Sequence, residues 1–183
     1  MAPNVWEVLI VDDEPDVREM LAMHLRSRGF VVAEAGSGRA AIQAIQKDPE
    51  RYGLIITDLQ LPGTDGFAVL AAAKAANPSV YVVMITGYAT LDTAIQAVRL
   101  GAYDYVPKPF SLGQIDVAVG RAADRAALER ENRQLARQLS PEPPVSPPPT
   151  ALDRLDDRLA RIELLVKELV THFTVPPGSM RMR

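Results

Sequence analysis

Short apolar runs and longer amphipathic stretches alternate through residues 5–106. The short runs at 5–11, 31–34, 54–57, 80–85 and 103–106 have the length of strands and are rich in β-branched, aromatic and other apolar residues. Between them, residues 15–29, 38–49, 66–78 and 90–102 carry apolar side chains at i, i+3 and i+4 and end near Gly or Pro, which predicts helices. This alternation predicts an α/β fold with a five-stranded, parallel, doubly wound sheet, in the common order 2-1-3-4-5.

Beyond residue 111 the pattern changes to two helical segments separated by prolines. Residues 112–139 predict one helix that is longer than a compact α/β domain needs. The segment 140–150, SPEPPVSPPPT, predicts an extended linker. We therefore expect an α/β domain at 1–120, an extended linker helix at 121–139, a proline-rich linker at 140–150, a heptad-repeat helix at 151–173 and a disordered tail at 174–183.

The predicted helix at 151–173 carries an apolar seam whose members alternate at spacings of three and four residues. The seam consists of Leu152, Leu155, Leu159, Ile162, Val166, Leu169 and Phe173. This spacing is typical of the a and d positions of a coiled coil, so we expect a homo-oligomer, a dimer or larger. The stripe could instead dock another protein or fold back on the α/β domain. A shorter seam in the linker helix consists of Leu128, Asn132, Leu135 and Leu139. Its alternative is a solvated extension.

Carboxylates crowd the points where the first and third predicted strands end. The stretch VLIVDDEPD places Asp12 and Asp13 directly after the first strand, and Asp58 follows the third. These strands are neighbours in the expected order, and ligands bind beyond the carboxyl ends of parallel strands. Two unit charges about 4 Å apart repel by roughly 4 kcal/mol at an effective dielectric near 20, so three converging carboxylates need a cation. Oxygen ligands without His or Cys favour a hard ion such as Mg²⁺.

A hydroxyl and an ammonium reach the same edge of the expected sheet. Thr86 follows the fourth strand in MITG, and Lys108 follows the fifth in YVPKPF. With a metal and a spare carboxylate they supply the parts needed for phosphoryl transfer. Taken singly, each residue has an ordinary role as a helix cap, a turn former or a surface lysine. Their occurrence at four strand ends favours the functional interpretation, whereas Glu14 and Asp16 are interpreted as acids at a helix start.

Residues 8–121 resemble the receiver domain of two-component response regulators, most closely receivers of the nitrogen-regulator class. The resemblance rests on LIVDDEPD, DLQLPGTDGF, MITGYA and GAYDYVPKPF. It implies a flavodoxin-like fold and a signalling protein, not an enzyme, that catalyses only its own phosphorylation and dephosphorylation. It also implies that Asp58 accepts a phosphoryl group from a histidine kinase or a phosphotransfer protein.

The resemblance implies a set of metal ligands as well. Asp13 and Asp58 would bind Mg²⁺ directly and Asp12 through water, with the backbone carbonyl of Gln60 as a further ligand. Gln60 and Tyr88 also occupy positions that vary in the family and tune dephosphorylation, which leaves the lifetime of the phosphorylated state open.

The same resemblance implies a conformational switch. Lys108 would pair with the phosphate beside a cis Lys108–Pro109 bond. Thr86 would turn toward the phosphate, and Tyr105 would swing inward behind it. The surface formed by the fourth helix, the fifth strand and the fifth helix would change as a result.

Composition narrows the class of protein. The net charge of −3 and the pI near 5.4 argue against a general binder of nucleic acid or acidic membranes. The absence of cysteine excludes disulfides and thiolate chemistry. The sequence shows no secretory signal and no apolar run long enough to span a bilayer, so we expect a cytoplasmic protein without membrane insertion. Acids interleave with arginines in the linker helix, which speaks against DNA binding.

The residues after Gly120 carry the expected output. They are too few for an ATPase domain and show no helix-turn-helix or cyclase signature. We therefore expect a phosphorylation-switched adaptor that acts through contacts with an unknown downstream protein and without nucleic acid. A phosphorylation-independent scaffold is the alternative, and a DNA-binding transcriptional regulator is less favoured.

Overall fold

Five strands and five helices alternate strictly along residues 7–139, the part of the chain that the computed structural model describes. The strands are β1 (Glu7–Val11), β2 (Val31–Ala35), β3 (Tyr52–Asp58), β4 (Tyr81–Thr86) and β5 (Asp104–Pro107). The helices are α1 (Pro15–Ser27), α2 (Gly38–Lys47), α3 (Gly66–Ala76), α4 (Leu91–Leu100) and α5 (Leu112–Leu139).

The strands form one sheet in the order β2-β1-β3-β4-β5, and every neighbouring pair is parallel. In register, Leu9 of β1 pairs with Ile55 of β3, which pairs with Val82 of β4. The predicted doubly wound α/β fold is therefore confirmed. Because all strands run in the same direction, their carboxyl ends share one edge of the sheet, and Asp58 and Thr86 end their strands there.

One face of the sheet packs against α1 and α5. Val8, Ile10 and Ile56 from the strands are fully buried in one cluster with Leu21 of α1 and Ile115 of α5. Side chains alternate along a strand, so the intervening apolar residues point to the opposite face. Burying a Leu or Ile side chain contributes about 1.5–3 kcal/mol. This packing holds the strand ends in place and so positions the polar residues beyond them.

Local sequence determines where the helices begin. Ser37, Asp65 and Thr90 are the N-caps of α2, α3 and α4, and each side chain accepts a hydrogen bond from the backbone N–H three residues later. α1 begins at Pro15, whose missing N–H costs nothing at the first helical position. Gly101 ends α4 with a positive φ of 93°, a conformation that glycine adopts without strain.

The strand and helix boundaries that fall within the described residues differ from the predicted ones by no more than two residues, and the predicted start of the first strand at residue 5 lies outside them. β3 begins at Tyr52 instead of residue 54, because the Tyr52 side chain is buried and its backbone pairs with Glu7. α5 runs continuously through residue 120 to Leu139, the last described residue. Its buried side chains end at Ala126 within the described part, and Leu128 and Leu135 beyond it are 58% and 46% exposed.

The remaining predicted segments lie outside the described residues. These are the proline-rich linker at 140–150, the helix at 151–173 with its whole apolar seam, and the tail at 174–183. Of the helices within residues 7–139, none is both long enough and apolar enough to cross a membrane.

Candidate functional site

Two buried carboxylates lie side by side at the carboxyl edge of the sheet. Asp12 follows β1, and Asp58 ends the neighbouring strand β3. The two residues are 0% and 5% exposed. Asp12 Oδ1 accepts the backbone N–H of Glu14 at 2.9 Å, and Asp58 Oδ1 accepts the backbone N–H of Gln60 at 2.9 Å. Each carboxylate is therefore oriented by the loop that follows its strand.

A single ammonium group joins these carboxylates. Lys108 Nζ donates to Asp58 Oδ2 at 2.6 Å and to Asp12 Oδ2 at 3.0 Å. It also donates to Glu14 Oε1 at 3.0 Å. The lysine comes from the loop after β5, two strands away from β3. The structure thus brings together three of the predicted site residues from distant parts of the sequence.

Burial and charge shift pKa values within this cluster. Burial raises the pKa of the Asp12 carboxyl, and the Asp58 charge adds to the shift, while hydrogen bonds from Lys108 and the Glu14 N–H oppose it. For Lys108, burial alone would lower the pKa, but its hydrogen bonds to Asp58, Asp12 and Glu14 outweigh burial and raise it. Lys108 is therefore charged at neutral pH, and one ammonium faces three carboxylates.

The donor set fits a divalent cation bound through oxygen. Carboxylate oxygens of Asp12, Glu14 and Asp58 lie within 4.8 Å of one another. Carboxylates are the protein ligands that Mg²⁺ prefers, and the excess of carboxylates over ammonium groups leaves charge for a cation to offset. Asp13, predicted as a direct ligand, is not part of this group. It is exposed and lines an adjacent cleft of about 520 Å³ together with Gln60.

Glu14 is an acid at a helix start, as predicted, and it has a further contact that the sequence did not reveal. It occupies the N-cap position of α1 as an acid at a helix start, but its side chain makes no capping hydrogen bond. The carboxylate pairs with Lys108 instead. Asp16 is the second acid at this helix start and lies in the first turn of α1. The sequence clue to this contact was that Glu14 lies in the same acidic run as Asp12. The chain turns there, so both carboxylates reach Lys108.

Gly66 is a second residue that sequence reasoning missed. It is the first residue of α3, and its N–H donates to the Leu59 carbonyl at 2.8 Å. A Cβ at this position would overlap the carbonyl oxygen of Asp58 and come within 2.9 Å of Leu59 Cα. Any larger side chain would therefore displace the backbone that carries the Asp58 carboxylate.

Thr86 ends β4 beside the cluster and is fully buried. Its carbonyl accepts the N–H of Lys108 at 2.7 Å, and the Lys108–Pro109 peptide bond is cis, as the resemblance implies. Its Oγ1 accepts the backbone N–H of Tyr88 at 3.1 Å. The side chain of Thr86 thus has a partner in the loop that leads to α4.

Tyr105 lies one strand further along the sheet. It is 4% exposed, and its hydroxyl shares a hydrogen bond of 2.9 Å with Thr93 Oγ1. Burial raises the pKa of the Tyr105 hydroxyl, while the hydrogen bond with Thr93 opposes the shift. Thr93 was not singled out from the sequence, where it reads as an ordinary residue near a helix start.

The region that contains this site matches a known protein family. Residues 8–120 match the family model of the response regulator receiver domain. The chain belongs to this family. It therefore carries the receiver domain of a two-component response regulator, a signalling domain, as the resemblance predicted.

Two curated relatives illustrate the similarity. The chain is 36% identical over 131 residues to an NtrX-like response regulator of Rickettsia typhi, covering 70% of this chain and 27% of that protein. It is 32% identical over 136 residues to the C4-dicarboxylate transport transcriptional regulatory protein DctD of Rhizobium meliloti, covering 74% and 28%. The chain spans 27–34% of the length of the curated relatives that it matches.

A solved structure confirms the receiver fold. The chain resembles a response regulator receiver domain protein from Clostridium thermocellum with a TM-score of 0.64 and 27% identity. The similarity covers 68% of this chain and 98% of that one. The predicted flavodoxin-like sheet order is confirmed. The resemblance to nitrogen-regulator receivers is confirmed by 36% identity over 137 residues to the nitrogen assimilation regulatory protein NtrX of Azorhizobium caulinodans, covering 74% of this chain and 30% of that protein.

Proposed function

We propose that this receiver accepts a phosphoryl group on Asp58 from the phosphohistidine of a histidine kinase or a phosphotransfer protein. The observation that carries the proposal is the Lys108 ammonium, which lies 2.6 Å from Asp58 Oδ2 and 3.0 Å from Asp12 Oδ2. It places a cation beside a buried carboxylate, close enough to contact the oxygens of an attached phosphoryl group.

Asp58 is the nucleophile in this proposal. One of its carboxylate oxygens forms a bond to phosphorus while the bond from phosphorus to the donor imidazole nitrogen breaks, and the nitrogen keeps the electron pair. The N–H of Gln60 holds Oδ1 at 2.9 Å. We expect Oδ2 to attack and Lys108 to move its hydrogen bond from Oδ2 to the phosphoryl oxygens.

The proposed cofactor is Mg²⁺. Asp12, Asp13, Asp58 and the backbone carbonyl of Gln60 would hold it, with the Glu14 carboxylate in reach of the same oxygens. When bound it supplies positive charge that offsets the carboxylates and the phosphoryl oxygens. The raised pKa of Asp12 and the three carboxylates around one ammonium support this assignment.

Thr86 and Tyr105 are the proposed switch residues. Thr86 would exchange its hydrogen bond with Tyr88 for one with the phosphoryl group on Asp58. Tyr105 is already buried with its hydroxyl on α4. We therefore expect the exchange to change the first turn of α4 and its junction with β5, and not to bury a ring that was previously exposed.

The proposed output is protein–protein contact by a phosphorylation-switched adaptor. The half-exposed Leu128 and Leu135, one heptad apart on α5, support a short coiled coil between two copies of the linker helix. The seam at 151–173 supports oligomerisation from its spacing alone. A scaffold that ignores phosphorylation remains the alternative. The name of DctD favours a transcriptional role as a further candidate, and the DNA-binding test below distinguishes it.

A phosphorylation assay tests the first step. We expect the full chain with Mg²⁺ and a small phosphodonor to gain the mass of one phosphoryl group, and Asp58→Asn to gain none. Asp116→Asn is the matched control, because Asp116 lies on α5 away from the site, and it should be phosphorylated like the wild type. Wild-type protein that gains no phosphoryl group even from its cognate kinase would refute the proposal.

The output is tested by comparing wild type with Asp58→Asn. An adaptor should change its oligomeric mass or its partner binding on phosphorylation, and the variant should not respond. Identical behaviour of the two proteins under phosphorylating conditions would favour the scaffold. A gel-shift with random duplex DNA at low salt addresses the transcriptional candidate, since tight salt-dependent binding would contradict the expected absence of nucleic acid.

A further inference from the structure

We propose that Thr93 is a positioning residue that couples the Tyr105 hydroxyl to the first turn of α4 and to the Thr86 end of β4. The inference rests on the proposed function, because it names the residue through which phosphorylation would reach α4. It concerns a hydroxyl that the phosphoryl-transfer chemistry does not use.

The Thr93 hydroxyl lies among more hydrogen-bonding groups than it can satisfy. It accepts the Thr90 N–H at 3.0 Å and lies 3.0 Å from both the Thr90 carbonyl and Thr90 Oγ1. The Tyr105 hydroxyl is 2.9 Å away and the Tyr88 carbonyl 3.5 Å. A hydroxyl has one proton and two lone pairs, so it can make at most three of these five bonds. Loss of one partner therefore redistributes the others.

Three of these partners belong to Thr90, the N-cap residue of α4. Thr90 and Thr93 form a reciprocal capping box, in which each side chain bonds to the backbone N–H of the other. The hydroxyl that closes this box is the same one that pairs with Tyr105. The cap of α4 and the hydrogen bond of the tyrosine are therefore not independent.

A path of hydrogen bonds leads from this point to the phosphoacceptor edge. Thr86 Oγ1 accepts the N–H of Tyr88 at 3.1 Å, and the carbonyl of Tyr88 faces Thr93. If Thr86 turns toward Asp58, it releases the Tyr88 N–H. Tyr88 is then less restrained, and we expect its carbonyl, and with it the bonds around the Thr93 hydroxyl, to shift.

Tyr105 depends on this hydroxyl because its ring is almost fully buried. A buried hydroxyl that loses its partner is unfavourable, so removal of the Thr93 hydroxyl should drive Tyr105 toward solvent. A residue that only caps α4 would not have this effect. The position of the Tyr105 ring therefore separates coupling from simple capping.

Three variants of the full chain test the inference in the unphosphorylated state. Thr93→Val keeps the shape and removes the hydroxyl, Thr93→Ser keeps the hydroxyl, and Tyr105→Phe removes only the tyrosine partner. The readouts are the NMR signals of ring-labelled tyrosine, with Tyr105 assigned from its loss in Tyr105→Phe, and the amide exchange rates of residues 90–93.

Coupling predicts changes at both ends of the bond. In Thr93→Val the Tyr105 signal should move toward that of an exposed ring, and amides 90–93 should exchange at least about threefold faster. Thr93→Ser should restore both. Tyr105→Phe should alter the exchange of the same amides although the capping box is intact. A Tyr105 signal unchanged in Thr93→Val, or amides unaffected by Tyr105→Phe, would reduce Thr93 to a cap and overturn the inference.

The phosphorylated state supplies the second test, with the phosphoryl content of each sample measured by intact mass. Per phosphorylated molecule, the exchange change in residues 90–93 should be at least about threefold smaller in Thr93→Val than in wild type or Thr93→Ser. An equal response in Thr93→Val would overturn the inference. Wild-type protein that takes up no phosphoryl group would refute the proposed function, while the unphosphorylated measurements would still decide the role of Thr93.

Discussion

Two groups of ion pairs in this molecule share nearly the same geometry but differ in their surroundings. At the carboxyl edge of the sheet, Lys108 Nζ lies 2.6 Å from Asp58. Between α1 and α5, Asp116 lies 2.7 Å from both His24 and Arg28. The Asp58 side chain is 7% exposed, whereas those of Asp116 and Arg28 are 28% and 57% exposed.

Distance therefore does not distinguish the two groups, but burial and charge balance do. The Arg28–Asp116 pair links the end of α1 to α5 where solvent screens both charges, so this pair contributes little. At the carboxyl edge Asp12 and Asp58 are desolvated, and the exposed Glu14 is a third carboxylate on the same ammonium. Such an arrangement costs stability in the absence of a further cation, which is typical of a functional site.

The largest expected effect comes from removing the cation of each group. Lys108→Met should lower the free energy of unfolding by about 3 kcal/mol, because it leaves buried carboxylates without a partner. Arg28→Met should lower it by about 1 kcal/mol or less. Urea unfolding at neutral pH measures both, and equal losses would contradict the distinction. Since the folded state raises the pKa of Lys108, its contribution is complete below pH 10.5 and is lost as the pH rises through the folded pKa.

Magnesium should stabilise the folded protein through the carboxylates at the carboxyl edge of the sheet and not through Asp116. At a concentration about 100 times its Kd, Mg²⁺ should stabilise the wild type by about 2.7 kcal/mol, and a chelator should reverse the gain. Asp116→Asn should show the same gain, and Asp12→Asn a smaller one at the same concentration. Thermal or urea unfolding with and without Mg²⁺ measures the effect. A full gain in Asp12→Asn would place the ion elsewhere.

Replacing one buried acid should stabilise the metal-free protein. Because folding raises the Asp12 pKa above 3.8, the ionised carboxylate carries a penalty in the folded state that is absent below pH 3.8 and complete above the folded pKa. Asp12→Asn should therefore be more stable than wild type by about 1 kcal/mol at neutral pH. This advantage should vanish as the pH falls below 3.8. Asp116→Asn should show no such advantage at neutral pH in the same unfolding series.

The smallest effect is the response to salt. Raising ionic strength to about 1 M shortens the Debye length to about 3 Å and screens exposed charges. The loss caused by Arg28→Met should then fall by about half or more, whereas the loss caused by Lys108→Met should change little. Unfolding of both variants at low and high salt checks this, and parallel responses would show that the two groups are equally solvated.

The fold and most of the polar edge could be predicted because they depend on patterns that repeat along the chain. Apolar runs such as 80–85 identified the strands, and the common strand order placed Asp12 and Asp58 on neighbouring strands. Glu14, Gly66 and Thr93 were missed for separate reasons. The contact of Glu14 with Lys108 was missed because an acid at that position is also typical of a helix start. The close approach of Gly66 to Asp58 exists only after α3 packs. Thr93 differs from other residues near a helix start only in its hydrogen bond with Tyr105.

The sequence by itself determined the alternation of strands and helices, the helix starts and the set of acids, hydroxyl and lysine at the strand ends. Periodicity and turn chemistry act over a few residues, and for that reason they can be read from one chain. Only the tertiary structure decided that Lys108 bridges Asp12, Asp58 and Glu14, while Asp13 lies outside that group. It also decided that Thr93 holds the Tyr105 hydroxyl. These contacts join residues far apart in the chain, and they depend on side-chain orientations that packing, and not local sequence, selects.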